Sequence, residues 1–221
     1  MRQTCTKRRA PHRFIVAGMA ASLSLAAAIV FSGRADAEAA LAKSYRDYVP
    51  PAVSLQGADG KATSFADLVD GSRPVVLEFF YTSCTTICGM QASTLALARK
   101  GLGPRTLLVS VTIDPEYDTP ARLKQYSENF DAGPNWRLLT GRRGDIQRIL
   151  TAFDARPYGD NKMLHRPLTF IRPAKGRQWV RLDGLATAKR IIAEYKDAVG
   201  RPPPASSTLN SIHESINRFI G

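Results

Sequence analysis

The stretch "PVVLEFFYTSCTTICGM", residues 74–90, joins an apolar run to two cysteines that are four residues apart. Residues 74–81 are mostly apolar and aromatic, which predicts a buried β-strand. Residues 85–100 follow with helical spacing of apolar residues, so the cysteines fall where a strand gives way to a helix. Cys84 is therefore predicted at or before the start of the helix, and Cys88 one turn later.

The rest of the chain continues this alternation. A hairpin of residues 53–55 and 62–65, around a turn rich in glycine, precedes the first buried strand. Further on, the pattern predicts a strand over residues 105–113, a helix over 119–130, a strand over 136–139, a helix over 144–153, a hairpin of strands over 167–171 and 178–182, and a helix over 186–199. This order predicts an α/β fold in which helices cover both faces of a mixed sheet.

The first 37 residues have the features of an export signal. Basic residues precede an Ala-rich apolar stretch over residues 14–33, and Ala35-Asp36-Ala37 has the small residues of a cleavage site. The stretch of about 20 apolar residues also approaches the length that spans a bilayer. Residues 1–37 are thus predicted to be a signal peptide or an N-terminal membrane anchor. Either outcome predicts a periplasmic protein, in the second case one held in the inner membrane.

Residues 38–221 have the length and the apolar content of a single domain. Residues 201–207 are rich in proline and serine and are interpreted as a stiff linker before a short tail. The tail is amphipathic, with four apolar residues on one helical face: Leu209, Ile212, Ile216 and Phe219. From residue 38 onward the chain has 25 Lys and Arg and 18 Asp and Glu, with no long basic run. This distribution of charge argues against a nucleic-acid partner.

The two cysteines can hold a metal ion, exchange a disulfide or simply pack. The N–H groups at a helix start stabilise a thiolate, so Cys84 should ionise more readily than an ordinary cysteine. Residues four apart on a helix have Cβ atoms about 5–6 Å apart, whereas a disulfide needs about 3.5–4.5 Å. This spacing favours a metal over a disulfide without excluding either. Two thiolates suit Cu(I), and an added imidazole would let the site accept Cu(II).

Few residues can supply that imidazole. Cys5 and His12 lie in the leader, and His213 lies in the amphipathic tail, where a surface position is expected. His165, in "KMLHRPLTF", follows a polar loop and immediately precedes a predicted strand. A loop at the end of a sheet can hold a side chain over a neighbouring strand-to-helix turn. His165 is therefore the candidate third ligand.

Two aspartates follow the second buried strand. Asp118 stands before Thr119-Pro120, which predicts a role in capping the next helix or in its turn. Asp114 lies at the end of the strand that should neighbour the cysteine strand. It is expected either to approach the metal as a weak oxygen ligand or to hold the loop through backbone bonds.

Four motifs in order resemble the Sco/SenC family of thioredoxin-like copper proteins. They are "FFYTSCTTIC" (79–88), "VSVTIDPEYDTP" (109–120), "NWRLLTG" (135–141) and "LHRPLTFI" (164–171). The resemblance extends over about residues 53–199 and implies a thioredoxin-like fold. It differs at Gly89, where the family has a proline after its second cysteine.

The resemblance also implies a function. Family members are periplasmic or membrane-tethered chaperones that bind copper for the CuA centre of cytochrome c oxidase, and the residues that match their ligands are Cys84, Cys88 and His165. The implied partner is the copper-acceptor subunit of the oxidase. Other members are thiol-disulfide reductants, which leaves a reductase acting on exported protein cysteines as the alternative; a peroxidase has little support in the sequence. Because the exported compartment is oxidising, either role calls for an exported thiol reductant as a second partner.

Overall fold

The strands and helices of the protein follow the predicted alternation. The computed structural model describes residues 41–200, and the bounds of its elements are these: β1 Ala42–Arg46, β2 Ser54–Gly57, β3 Ala62–Ser64, α1 Phe65–Leu68, β4 Val75–Phe80, α2 Ile87–Leu102, β5 Leu107–Thr112, α3 Pro120–Asn129, β6 Trp136–Gly141, α4 Arg143–Ala152, β7 Leu168–Arg172, β8 Trp179–Asp183 and α5 Ala188–Gly200. Two short 3-10 turns, Tyr158–Asp160 and Lys162–Leu164, lie between α4 and β7.

The strands of the described region form one mixed sheet in the order β1-β8-β7-β4-β5-β6-β2-β3. β4, β5 and β6 are parallel, and the remaining pairs are antiparallel. Both predicted hairpins are confirmed, as β2 with β3 and β7 with β8. The cysteine strand β4 lies inside the sheet between β7 and β5, and all six of its residues are buried.

Helices cover both faces of this sheet, as predicted. Side chains alternate along a strand, so neighbouring residues of β4 point to opposite faces. Phe80 packs against Tyr126 of α3, with ring centroids 5.1 Å apart. Phe79 packs on the other face against Phe153, the residue that follows α4, at 6.2 Å. The cysteine strand is thus fixed by aromatic contacts from both sides.

Two features differ from the sequence predictions. β1 was not predicted, because "AKSYR" is exposed or half-buried and shows no apolar alternation; it is held by antiparallel pairing with β8. Helix α2 begins at Ile87 rather than at residue 85, because Thr86 has a non-helical backbone with φ −119° and ψ −94°. Cys84 therefore lies in the loop before the helix, and the helical spacing used to compare a metal with a disulfide does not apply to this pair.

Some predictions fall on residues that the structure does not describe. The leader of residues 1–37, with Cys5 and His12, lies outside the described region, as do the linker of residues 201–207 and the tail with His213. Across residues 41–200, every helix is too short or too polar to span a bilayer.

Candidate metal centre

The sheet topology brings His165 to the cysteine pair. β7 runs antiparallel to β4, with Thr169 opposite Glu78, so the start of β7 lies beside the end of β4. His165 precedes β7 by three residues and reaches the first turn of α2, where Cys88 lies. Its Nε2 lies 3.9 Å from Sγ of Cys88. The predicted proximity of the imidazole to the cysteine pair is therefore observed.

The two sulfurs have different environments. Cys88 is fully buried in the first turn of α2, whereas Cys84 is half-buried in the preceding loop, and both are free thiols. The N-cap residue Thr86 makes no side-chain cap bond. The sulfur of Cys84 accepts a bond from the N–H of Cys88 instead, at 3.4 Å. Cys84 thus takes the place of the missing helix cap, which favours its ionised form.

Opposite pKa shifts follow from these environments. Burial works against ionisation of Cys84, but hydrogen bonds from the thiol and N–H of Cys88, and from Thr86, outweigh it and lower the pKa of Cys84 from 9.0 to about 7. Burial, and then the hydrogen bond to Cys84, raise the pKa of Cys88 well above its ordinary value. Near neutral pH the pair therefore holds one ionisable sulfur at the surface and one protonated thiol below it.

The asymmetry of the pair predicts selective alkylation. A brief pulse of iodoacetamide at pH 7 should label Cys84 well ahead of Cys88, because the thiolate is the reacting species and Cys88 is both buried and protonated. The labelling rate of Cys84 should rise with pH through a midpoint near its pKa of about 7. Mass spectrometry of the digested protein measures both sites. Equal labelling of the two cysteines in the folded protein would contradict the assignment, and denatured protein, in which they should react alike, is the control.

His165 is held as a neutral imidazole. The residue is buried, and burial lowers the pKa of its ring. A hydrogen bond to the backbone of Phe79 acts in the opposite direction, as expected when a ring N–H donates. With Nε2 directed at Cys88, that donor is the other ring nitrogen, and Nε2 keeps its lone pair for a thiol proton or a metal. The ring also packs edge-on against Tyr81, with centroids 5.6 Å apart.

Asp118 fixes the loop before the cysteines. The capping part of its prediction was wrong, and the turn part is confirmed, because its N–H donates to the carbonyl of Asp114 at 2.9 Å. The N-cap of α3 is Thr119, whose side chain accepts from the N–H of Arg122. Asp118 is fully buried and accepts bonds from the N–H and hydroxyl of Thr82 and from the hydroxyl of Thr112. It therefore ties the end of β5 to the segment that leads from β4 into Cys84.

Asp114 holds the histidine loop. Its carboxylate pairs at 2.5 Å with Nζ of Lys162, in the 3-10 turn that ends directly before His165. Of the two expectations for Asp114, the loop-holding role is confirmed: besides the ion pair, its backbone carbonyl accepts the N–H groups of Tyr117 and Asp118 at 3.1 and 2.9 Å. No pattern in the sequence distinguishes Lys162, because it is a lone lysine in a polar loop.

Three other residues near the site were also missed. Tyr81, which directly follows β4, is almost fully buried; burial and a hydrogen bond with Cys84 raise its pKa to about 12. Its hydroxyl also donates to the sulfur of Met163 at 3.3 Å. Tyr126 donates to the backbone carbonyl of Cys88 at 3.2 Å. These contacts join residues distant in sequence, and no local pattern indicates them.

A buried acid lies in the cysteine strand. Glu78 is 1% exposed and accepts a bond from the hydroxyl of Ser110 at 2.6 Å; that hydroxyl accepts from Nε1 of Trp136. Oε2 of Glu78 has no hydrogen-bond partner among the described residues. Burial raises the pKa of Glu78 to about 8. An acidic residue inside an otherwise apolar strand was a visible signal in the sequence that the strand prediction did not use.

Gly89, the position where the resembled family has proline, lies within α2. A Cβ built on it would have no atom within 4 Å. The position is therefore open, so the absence of a side chain there is not required by packing, and the helix continues through it.

Within residues 41–200, no three of the Cys, His, Asp and Glu side chains are already grouped as they would be around a bound metal ion. The pair formed by Cys88 and His165 is the closest approach of a sulfur to an imidazole nitrogen that the structure records, at 3.9 Å.

Comparison with known proteins gives a consistent family assignment. The family model described as SCO1/SenC matches residues 36–200. The SCO1 protein homolog of Bacillus subtilis is 26% identical over 156 residues, which cover 66% of this chain and 80% of that protein. A SCO2-like protein of Rickettsia conorii is 33% identical over 123 residues, covering 51% of this chain and 58% of that one.

Solved structures agree with the fold. The structure of BsSco, described as a member of the Sco family of cytochrome c oxidase assembly proteins with a disulfide switch, is 26% identical, with a TM-score of 0.58 over 73% of this chain and 99% of that one. Yeast Sco1 with copper bound is 20% identical, with a TM-score of 0.61 over 72% and 93% of the two chains. The thioredoxin-like fold of these proteins is thus shared by this chain.

Proposed function

The chain belongs to the SCO1/SenC family, and from that premise we propose that it is a copper chaperone whose ligands are Cys84, Cys88 and His165. The observation that carries the proposal is the 3.9 Å approach of Nε2 of His165 to Sγ of Cys88, beside a second sulfur of lowered pKa. The copper-bound and oxidase-assembly relatives support the same cargo.

The donor set fits copper. Two thiolates are soft ligands that suit Cu(I), and the imidazole extends the site to Cu(II). With bonds of about 2.3 Å to sulfur and 2.0 Å to nitrogen, two ligands of one ion lie about 3.5–4.3 Å apart. The separation of 3.9 Å between Cys88 and His165 falls in that range. These two residues can therefore receive an ion with little movement.

Cys84 completes the site from the solvent side. Its low pKa lets it lose a proton first, and each thiol that becomes a ligand releases its proton to solvent. Cys84 is half-buried while the other two ligands are buried, so an acceptor's ligands can approach from its side. We expect transfer by stepwise exchange, with Cys84 the first ligand replaced and the copper ion unchanged in oxidation state.

Location and partners belong to the same proposal. Residues 1–37 act as a cleaved signal or as an inner-membrane anchor, and residues 38–221 act as one thioredoxin-like domain in the periplasm. The acceptor is the copper-binding subunit of cytochrome c oxidase, whose CuA centre receives the ion. An exported thiol reductant keeps the cysteines reduced, because an oxidising compartment favours their disulfide.

An anaerobic Cu(I) titration of the reduced soluble domain tests the ligand set. We expect one equivalent of tightly bound Cu(I) in the wild type and a loss of affinity in Cys84→Ser, Cys88→Ser and His165→Ala, because each variant removes one donor. Competition with a chromophoric Cu(I) chelator measures the affinity. Unchanged Cu(I) and Cu(II) binding by His165→Ala would refute the role of the imidazole. Circular dichroism of each variant verifies that it is folded.

Thiol-disulfide reduction is a second candidate, favoured by the opposite pKa shifts of the two cysteines. A half-exposed thiolate at Cys84 can attack a partner disulfide, and the thiol of Cys88 can then resolve the mixed disulfide. Both electrons come from the cysteine pair, which ends oxidised. Efficient reduction of protein disulfides by copper-free protein, with no measurable Cu(I) affinity, would favour this candidate over the chaperone; His165→Ala should leave such activity largely intact.

A further inference from the structure

Met163 is an exposed sulfur at the edge of the candidate metal centre. It lies in the 3-10 turn two residues before His165 and is 69% exposed. The turn is fixed locally, because the side chain of Asn161 accepts the N–H of Met163 at 3.0 Å and its backbone carbonyl accepts the N–H of Leu164 at 2.9 Å. Lys162 in the same turn is paired with Asp114. The thioether is thus a flexible side chain on a well-anchored backbone.

The hydroxyl of Tyr81 connects this thioether to the cysteine pair. It donates to Sδ of Met163 at 3.3 Å, and, after burial, the neighbouring side chain of Cys84 is among the groups that raise the pKa of this hydroxyl. The ring of Tyr81 lies edge-on against the ring of His165. The sulfurs of Met163 and Cys84 therefore lie within reach of one oxygen atom, next to the imidazole.

We propose that Met163 is an additional Cu(I) ligand, which holds the ion when Cys84 is exchanged for an acceptor's ligand. The proposal rests on the copper function proposed above and adds a fourth residue to it. A thioether is a soft donor that selects Cu(I), and methionine's unbranched side chain can swing without moving the backbone. Because Met163 and Cys84 are the more exposed of the four donors, they form the side of the site that an acceptor meets.

The exchange is balanced without a redox partner. Copper stays as Cu(I), and the neutral thioether binds without releasing a proton. When Sδ of Met163 leaves the hydroxyl of Tyr81, that hydroxyl keeps its proton and can turn to donate it to the neighbouring sulfur of Cys84. No buried polar group is left without a hydrogen bond in this step.

The thioether of Met163 also favours one oxidation state of copper. Cu(II) prefers nitrogen and oxygen donors more strongly than Cu(I) does, so a thioether adds less to its binding. Loss of Met163 should therefore weaken Cu(I) binding and leave Cu(II) binding close to that of the wild type. A residue that only supported the fold of the loop would affect both ions through His165.

The test is Met163→Leu, which keeps the size and apolar character of the side chain and removes only the sulfur. Met90→Leu is the matched control. Met90 is also exposed, at 49%, and lines a groove with Leu97 and Leu185. None of the three predicted ligands is among the described residues that line this groove. Chelator competition measures the affinity of each protein for Cu(I) and for Cu(II). X-ray absorption at the copper edge counts the sulfur ligands of bound Cu(I).

Met163→Leu should bind Cu(I) at least about 10-fold more weakly, because loss of a group that only orients a ligand already costs a metal site about 10-fold. Its sulfur count should fall by one, while Met90→Leu matches the wild type in both measurements. Equal Cu(I) affinity and equal sulfur count in wild type and Met163→Leu would overturn the inference and leave the chaperone proposal standing. A wild-type protein that binds no Cu(I) would overturn both.

Discussion

Replacing Asp118 with alanine should lower the free energy of unfolding by about 3–5 kcal/mol. The side chain is fully buried and accepts bonds from the N–H and hydroxyl of Thr82 and from the hydroxyl of Thr112. Alanine leaves the buried hydroxyl of Thr112 and the half-buried N–H and hydroxyl of Thr82 without this acceptor. A buried donor without a partner costs about 1–3 kcal/mol. Urea denaturation followed by circular dichroism measures the change.

Two variants sharpen this prediction. Asp118→Asn keeps the shape of the side chain and one acceptor oxygen but places an amide NH2 among hydrogen-bond donors. We therefore expect its free energy of unfolding to fall, but by less than that of Asp118→Ala. Glu116→Ala removes an acid from the same loop. Glu116 forms an ion pair with Arg143, and both side chains of this pair are exposed to solvent. That change should alter the stability by less than about 1 kcal/mol. Equal effects of Asp118→Ala and Glu116→Ala would contradict the structural role of Asp118.

The Asp118 contacts also predict a local effect on the site. Thr82 stands two residues before Cys84, so its release should loosen the loop that presents the exposed sulfur. The selective alkylation of Cys84 over Cys88 should consequently become weaker in Asp118→Asn, even under conditions where that variant remains folded.

The stability of the protein should depend on pH through Glu78. Burial raises the pKa of this carboxyl from an ordinary value of 4.5 to about 8 in the folded protein. Its stabilising contribution is therefore complete below about pH 4.5 and is lost as the pH rises to about 8, because the folded state holds a proton that the unfolded state has released. Each pH unit in this window costs about 1.4 kcal/mol.

Glu78→Gln isolates this contribution. The amide does not ionise, and its oxygen can still accept the bond from Ser110, so the variant should lack this part of the pH dependence. Between pH 5 and pH 8 the wild type should lose about 4 kcal/mol of unfolding free energy relative to Glu78→Gln. Urea titrations of both proteins at each pH measure the difference. A difference that stays constant from pH 5 to pH 8 would show that Glu78 does not titrate in this range.

Local patterns predicted most of the fold. The apolar strand before Cys84, both hairpins and the long helices were found within a few residues of their observed bounds, because burial on a strand or a helix imposes a period on the sequence. β1 was missed since its pairing with β8 needs no apolar period. The start of α2 was placed two residues early because the backbone of Thr86, and not a residue pattern, sets it.

The candidate site was predictable only in part. Cys84 and Cys88 were visible from their place at the end of a buried strand, and His165 was selected because the chain has few histidines and resembles the Sco/SenC family. The roles of Asp118, Lys162 and Tyr81 were not predictable, since each acts through a contact with a distant segment. Asp118 even carried a misleading local signal, because it stands directly before the residue that caps α3.

Patterns in the sequence place two cysteines where a strand meets a helix, and they leave few imidazoles to join them. The folded chain adds that His165, 77 residues after Cys88, lies 3.9 Å from its sulfur and that the hydroxyl of Tyr81 donates to the sulfur of Met163. The physical reason is that backbone pairing between β4 and β7 fixes which loops meet at the end of the sheet. Hydrophobic periodicity specifies the strands themselves, but the approach of two loops depends on the order of strands across the sheet.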